Sequence, residues 1–171
     1  MHDLDETWQA DLVEMQPYAQ ENKSYKYLLT VIDVFSKYAW AIPLKQKTGN
    51  KVTASMKSIL EQGRVPKNLH TDRGKEFYNL LFEGLMKRYG IDIYSTYSNR
   101  KTSTVSASTA RSKTRCGSNL VCNYKWLDLL PDLLAEYNNS KHRTIGMKSE
   151  DISKKNKIKS FNVSLTKKKQ K

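Results

Sequence analysis

Residues 68–77 of the chain read Asn68-Leu69-His70-Thr71-Asp72-Arg73-Gly74-Lys75-Glu76-Phe77, a short apolar approach followed by an acid, a turn glycine and an aromatic residue. This order is typical of a strand that delivers a carboxylate to its C-terminal tip before the backbone turns away. Open α/β sheets place their chemistry at that edge. Alone the pattern is weak, because a turn aspartate that hydrogen-bonds its own backbone is commoner than a catalytic one.

A second acid lies upstream, in a segment that also has the pattern of a strand. Residues 7–15 read TWQADLVEM, with Asp11 in apolar company, and residues 25–36 predict a longer strand. Burying an acid in an apolar strand costs several kcal/mol unless the acid is paired or binds a metal. Alone, Asp11 is best explained as an edge-strand residue that faces water. Together with Asp72 it suggests a site with two carboxylates.

The order of strand-like and helix-like segments predicts an α/β domain. We expect strands over residues 7–15, 25–36, 38–44, 68–71 and 91–96, helices over 49–62 and 75–89, and an amphipathic helix over 124–137 that is kinked or restarted at Pro131. Helical spacing predicts that the inward residues of the first two helices are Val52, Met56, Ile59 and Leu60, and then Phe77, Leu80, Leu81, Leu85 and Met86. Gly63 and Gly90 are predicted to end these two helices.

Several other residues are interpreted as structural. Asp33, an acid inside the second strand, is assigned either to the framework of the domain or to a supporting position behind the site. Trp8, Trp40 and Trp126 are assigned to the core or its edge. Cys116 and Cys122 are the only cysteines, and with three histidines they have no spacing that would build a zinc finger. We therefore expect no zinc.

Length and charge limit the classes of partner. A chain of 171 residues suits one domain with a real core. Its formal net charge of +13 favours a polyanion such as nucleic acid, although a solvated basic surface would give the same count. The acidic opening MHDLDE is unlike a signal peptide, and no apolar run is long enough to span a bilayer. The expectation is a protein that is not secreted and has no membrane partner.

Five runs of the sequence, taken together and in order, resemble the catalytic core of integrases. The runs are WQADL (8–12), LLTVIDVFSKYAW (28–40), HTDRGKEF (70–77), YSTYS (94–98) and YNNSKHRTIGM (137–147). The likeness is greatest to integrases of retroviruses, retrotransposons and Maverick/Polinton DNA transposons, and it covers roughly residues 6 to 152. It implies a ribonuclease H-like α/β fold, a five-stranded mixed sheet flanked by helices in the order βββαβαβα. The core would span residues 1–152, and residues 153–171 would form a basic tail.

The resemblance also implies a chemistry. Integrases gather three carboxylates around divalent ions, Mg²⁺ or Mn²⁺, which activate the attacking oxygen and stabilise the leaving one. Asp11 and Asp72 match the first two. DNA is the implied partner, with self-association, and the expected location is nuclear or otherwise cytoplasmic. From their charge, the candidate phosphate contacts are Arg73, Lys75, Lys101, Arg111 and Lys113, with a solvated surface as the alternative for the first two. His70 and Glu76 are candidates to support the metal ligands from behind, and a satisfied strand histidine is the alternative for His70.

The third carboxylate is missing. In the family it is a glutamate on a helix, in a run that resembles V-E-R-F-N-R-T-L-K, and Ser106 stands at its position. Residues 94–126 contain no Asp or Glu that could substitute, and residues 98–122 form a polar segment in place of the catalytic helix. A serine hydroxyl is neutral and cannot replace the charge of a carboxylate. The resemblance therefore implies that catalysis is lost or severely reduced.

The polar segment has a pattern that suggests a shifted reading frame. Codons can be chosen for residues 106–118 such that one added base gives ERFNRTLKNKMWK, a catalytic helix like that of the family. We hypothesise a one-base loss near codon 106, in the gene or in its reading. Three functions remain open at this point: a catalytically defective DNA-binding relative, an active DNA strand transferase, and a ribonuclease H-like nuclease.

Overall fold

The computed structural model describes residues 3–95 and 125–152. Within them, one five-stranded sheet is flanked by three α-helices. The elements in chain order are β1 (Thr7–Glu14), β2 (Tyr27–Asp33), β3 (Ala39–Leu44), α1 (Gly49–Leu60), β4 (Asn68–His70), α2 (Leu80–Tyr89), β5 (Asp92–Tyr94) and α3 (Trp126–Asn139). This confirms the predicted α/β fold with a five-stranded mixed sheet. The segments over 98–122 and 153–171 lie outside the described residues.

The strand order across the sheet is β3-β2-β1-β4-β5. β1, β2 and β3 pair antiparallel, whereas β4 pairs parallel with both β1 and β5. The carboxyl ends of β1, β4 and β5 therefore meet at one edge, the edge at which the sequence places its two acids.

Each face of the sheet has its own apolar cluster, because successive side chains of a strand point to opposite faces. Trp8 and Trp40 pack with α1 and α2 on one face. Trp126 of α3 packs with Met15 and Leu28 on the other. All three tryptophans are buried, as predicted.

The start of α2 differs from the prediction. The helix begins at Leu80 rather than at residue 75, because Asn79 caps it: Asn79 Oδ1 accepts a hydrogen bond of 3.0 Å from the amide of Phe82. The preceding residues form a turn in which the amides of Phe77 and Tyr78 both donate to the Gly74 carbonyl. Leu80 and Leu81 are consequently 88% and 56% exposed, so their predicted inward position is wrong.

Other boundaries changed less. Two 3₁₀ turns, Gln16–Tyr18 and Gln20–Asn22, connect β1 to β2. Gly90 ends α2 in the left-handed conformation, with φ of 67°, as predicted. α3 continues through Pro131 as a single helix, so the restart that the sequence suggested does not occur.

Two buried asparagines attach α3 to the rest of the domain, one to strand β3 and one to the turn before β2. The Asn138 side chain exchanges two hydrogen bonds of 2.9 Å with the backbone of Ala39, donating to its carbonyl and accepting from its amide. At the other end of the helix, Asn22 Oδ1 accepts a 2.9 Å hydrogen bond from the amide of Leu127. The position of α3 is therefore fixed at both ends.

Asp33 has the structural role that the sequence suggested. Its Oδ2 accepts hydrogen bonds of 2.6 Å from Ser36 Oγ and from Arg64 Nη2. Arg64 also pairs with Asp5, and its guanidinium carbon lies 5.0 Å from the ring centroid of Trp40. This network lies where β1 begins, three residue pairs before Asp11 along the β1–β2 ladder.

Within residues 3–95 and 125–152, no helix is both long enough and apolar enough to cross a membrane.

Candidate active site

The parallel register of β1 and β4 brings Asp11 and Asp72 side by side. Gln9 pairs with His70 at the end of the β1–β4 ladder. Asp11 and Asp72 each follow two residues after that pair, and both line one cleft at this edge of the sheet. Neighbouring strands are about 4.8 Å apart. Two carboxylates far apart in sequence therefore become neighbours at the carboxyl edge.

Both acids line one open cleft of about 290 Å³ at this edge. Asp11 is half-buried and Asp72 is exposed. The cleft is lined by Gln9, Ala10, Asp11, His70, Thr71, Asp72, Arg73 and Ser95. Its polar groups come from the middle of β1, from the end of β4 and the residues after it, and from the residue after β5, so a ligand seated there would contact all three neighbouring strands or their ends.

Local hydrogen bonds set the position of each acid. Thr30 of β2 donates from Oγ1 to the backbone carbonyl of Asp11 at 3.2 Å, which adds to the β1–β2 ladder. The Asp72 carboxylate accepts a 3.2 Å hydrogen bond from the amide of Gly74. Asp72 thus has the turn role that sequence statistics favour and also lies at the cleft. The turn role and a role at the cleft are compatible, because the hydrogen bond from the Gly74 amide orients the Asp72 carboxylate.

Oxygen donors are the ligands that Mg²⁺ and Mn²⁺ prefer, so this pair fits a hard divalent cation. The fit is partial, since residues 3–95 and 125–152 contain no cluster of three or more His, Cys, Asp or Glu side chains that could hold a metal. Thr71 adds a buried hydroxyl at the cleft, and its Oγ1 has no hydrogen-bond partner among the described atoms. Ser106, at the position of the third acid, lies outside the described residues.

His70 and Glu76 occupy different surroundings. His70 lines the cleft, and its ring centroid lies 5.1 Å from that of Tyr94. Partial burial lowers the pKa of His70, which favours the neutral imidazole. Glu76 is not among the residues that line the cleft. Its carboxylate lies against Gly74, where an added Cβ would come within 2.5 Å of the Glu76 carboxyl carbon.

The basic residues predicted to contact phosphates are only partly described. Arg73 is exposed at the rim of the cleft, and its Nε donates a 3.1 Å hydrogen bond to Ser95 Oγ. Lys75 is exposed in the turn that follows. Lys101, Arg111 and Lys113 fall outside the described residues. Arg73 is therefore the cation that the structure places directly at the two acids.

Three polar residues of the cleft were not predicted from the sequence: Gln9, Thr71 and Ser95. A signal was available for the first, since Gln9 precedes Asp11 by two residues and must share its face of the strand. Ser95 follows β5 at the same edge. Recognising it required knowing that β5 lies next to β4, which only the sheet order supplies.

Comparisons with known proteins agree with this geometry. The family model described as integrase core domain matches residues 2–101, more than half of the chain. A transposon-derived protein of Caenorhabditis elegans is 29% identical over 143 residues, which make up 82% of this chain and 50% of that protein. The Pol polyprotein of Radiation murine leukemia virus is 34% identical over 86 residues, 50% of this chain and 14% of the polyprotein. The chain thus spans half or less of the length of these relatives.

Solved structures share the fold. The catalytic core domain of HTLV-2 integrase in complex with magnesium has a TM-score of 0.69 at 18% identity, covering 89% of this chain and 99% of that one. The catalytic core domain of BIV integrase has a TM-score of 0.66 at 16% identity, covering 94% and 99%. The order of elements, the paired acids and the family match all agree, and the chain belongs to the integrase core domain family.

Proposed function

We propose that this chain is the core of a transposable-element integrase that binds duplex DNA and a divalent cation at the Asp11–Asp72 cleft but does not complete DNA strand transfer. The observation that carries the proposal is the β1–β4 register, which sets the two carboxylates side by side with Arg73 at the rim. An origin in a transposable element is supported by the similarity to the transposon-derived protein of Caenorhabditis elegans.

The residues of the cleft have separate tasks in this proposal. Asp11 and Asp72 would hold the cation, as the magnesium complex of the HTLV-2 core suggests. A cation bound there supplies Lewis-acid activation of a phosphodiester. Arg73, held by Ser95, contacts the adjacent phosphate. The net charge of +13 attracts the DNA without reading its sequence.

The defect lies in the missing third acid. With Ser106 at that position, the site has one negative charge fewer, so we expect it to hold a cation weakly and to fail to retain a second one. The DNA-binding surface does not depend on that acid. Self-association and a nuclear location belong to the same proposal, because strand transfer by integrases is carried out by assemblies that reach chromosomal DNA.

Cation binding tests the cleft directly. Isothermal titration calorimetry with Mn²⁺ should show that the wild-type chain binds the ion. The Asp11→Asn variant should bind it at least tenfold more weakly. Asp92→Asn is the matched control, because Asp92 is an exposed acid at the start of β5, at the other end of the sheet. Equal affinities for the two variants would refute the assignment of the cleft.

A strand-transfer assay tests the defect. The wild-type chain should join no labelled DNA ends to target DNA in Mg²⁺ or Mn²⁺. A chain in which residues 106–118 are replaced by ERFNRTLKNKMWK should gain that activity, and the same chain with Asp11→Asn should lose it again. Strand transfer by the wild type would overturn the proposed defect. Cleavage of an RNA–DNA hybrid by the wild type would instead identify a nuclease.

A further inference from the structure

The sheet edge that carries the cleft also carries three exposed lysines, on its other side at β3. Glu14, which ends β1, pairs with Tyr27, and Tyr27 pairs with Leu44 at the end of β3. Lys26 directly precedes β2, and Lys45 and Lys47 follow β3, so all three lie at this edge and all are exposed. We call Lys26, Lys45 and Lys47 the lysine corner.

Two tyrosine rings support the lysine corner. Lys45 Nζ lies 5.3 Å from the ring centroid of Tyr25, and Lys47 Nζ lies 5.7 Å from that of Tyr27. Both rings are themselves held in place. Tyr25 packs against the cluster around Trp126, and the Tyr27 hydroxyl accepts a 3.1 Å hydrogen bond from Gln16. Because the rings hold the ammonium groups in position, less side-chain freedom is lost when an anion binds.

Two acids, Glu14 and Glu76, moderate the charge of the corner at Lys47. Glu14 Oε1 lies 3.1 Å from Lys47 Nζ. The hydrogen bond to Glu14 raises the pKa of Lys47, so this lysine remains protonated at neutral pH. Three lysines stand against two glutamates, so the corner stays positive. It lies at the same edge of the sheet as the cleft, whose lining includes Arg73.

The sheet register sets the distance between the cleft and the lysine corner. Asp11 lies level with Thr30 and, on the next strand, Ala41. Lys45 is therefore two strands away and four residues further along, counted from Ala41. Strand spacings of about 4.8 Å and rises of about 3.3 Å per residue place its backbone roughly 15 Å from that of Asp11. At about 3.4 Å per nucleotide along one DNA strand, this separation corresponds to four or five base pairs.

We propose that the lysine corner is a second phosphate-contact surface, which binds the backbone of duplex DNA about four or five base pairs from the phosphodiester held at the cleft. The inference rests on the proposed function, since it takes the same DNA as its ligand. It adds no chemical step. Its role is to fix the direction in which the duplex leaves the cleft, toward β3.

The test is the salt dependence of DNA affinity. Binding of a fluorescein-labelled duplex is followed by anisotropy over a series of KCl concentrations, for the wild type and for a Lys26→Ala/Lys45→Ala double variant. Each lost phosphate contact should make the slope of log K against log salt less negative by about 0.9, so the slope of the double variant should be less negative by about 1.8. The matched control is Lys67→Ala/Lys87→Ala, which removes two exposed lysines at the opposite end of the sheet.

Each outcome decides the inference. A less negative slope in the Lys26→Ala/Lys45→Ala variant, with an unchanged slope in the control, supports the inference. Equal slopes in both double variants overturn it, while DNA binding at the cleft stands. Glu14→Gln gives a result of opposite sign, because it removes the charge that opposes Lys47 and should tighten binding severalfold. If that variant binds no more tightly, Lys47 is not part of the surface. If the wild type fails to bind DNA, both this inference and the proposed function are refuted.

Discussion

Arg64→Met removes the cation that pairs with a fully buried carboxylate, and it should lower the free energy of unfolding of the domain by a large fraction. Arg64 Nη2 lies 2.6 Å from Oδ2 of Asp33, which is 0% exposed. In the variant the Asp33 charge stays in the interior, with Ser36 Oγ and the amide of Phe35 still donating to it. Removing one partner of a buried ion pair costs about 3–5 kcal/mol. Domains of this size are stable by about 5–15 kcal/mol, so the loss is a large fraction of the total.

Urea unfolding followed by tryptophan fluorescence measures this loss, because Trp8 and Trp40 lie against the guanidinium group. Lys67→Met is the control for an exposed cation. Arg64→Met/Asp33→Asn should recover part of the stability, since it neutralises the charge that the first substitution leaves behind. A loss of less than about 1 kcal/mol in Arg64→Met, the size of a surface ion pair, would refute the argument. So would a double variant that is no more stable than Arg64→Met.

Three further predictions concern α3, α2 and the cleft. Asn138→Ala should destabilise the domain by about 2–4 kcal/mol in urea unfolding, because the buried amide and carbonyl of Ala39 both lose their partner. Leu80→Gln should change the free energy of unfolding by less than about 0.5 kcal/mol, whereas Leu85→Gln, a buried position on the same helix, should cost several times more; similar losses would contradict the exposed position of Leu80. His70 has a lowered pKa in the folded state, so its contribution to stability should be present above pH 6.5 and lost as the pH falls through the folded-state value; unfolding midpoints across this range should flatten in His70→Gln.

Part of the position of the two acids could be predicted from local sequence pattern. Asp11 lies inside an apolar strand and Asp72 follows one, and parallel neighbouring strands bring such positions together at one edge. The family resemblance supplied the remaining information, that the two strands are neighbours. The exact register, with Gln9 opposite His70, came only from the structure.

What the sequence did not reveal depends on single polar contacts between distant residues. Asn79 is a residue type that commonly caps helices, yet the apolar spacing around it favoured a helix that began earlier. In the structure the hydrogen bond from the amide of Phe82 to Asn79 sets the start of the helix at Leu80. Asn138 was part of a run that resembled the family but had no assigned role. Its partner, Ala39, is far away in the chain, and no periodicity connects an asparagine on a helix to a strand backbone.

The fold is compatible with the proposal that this chain binds DNA without completing strand transfer. The two acids are positioned by β1 and β4, whose pairing is supported by Trp8 and Leu69 in the core that α1 and α2 cover. None of these elements includes residues 98–122. The position of the third acid belongs to that segment, so its proposed loss leaves the elements that position Asp11 and Asp72 complete. In the proposed function, cation and phosphate contacts at the cleft are therefore separable from strand transfer.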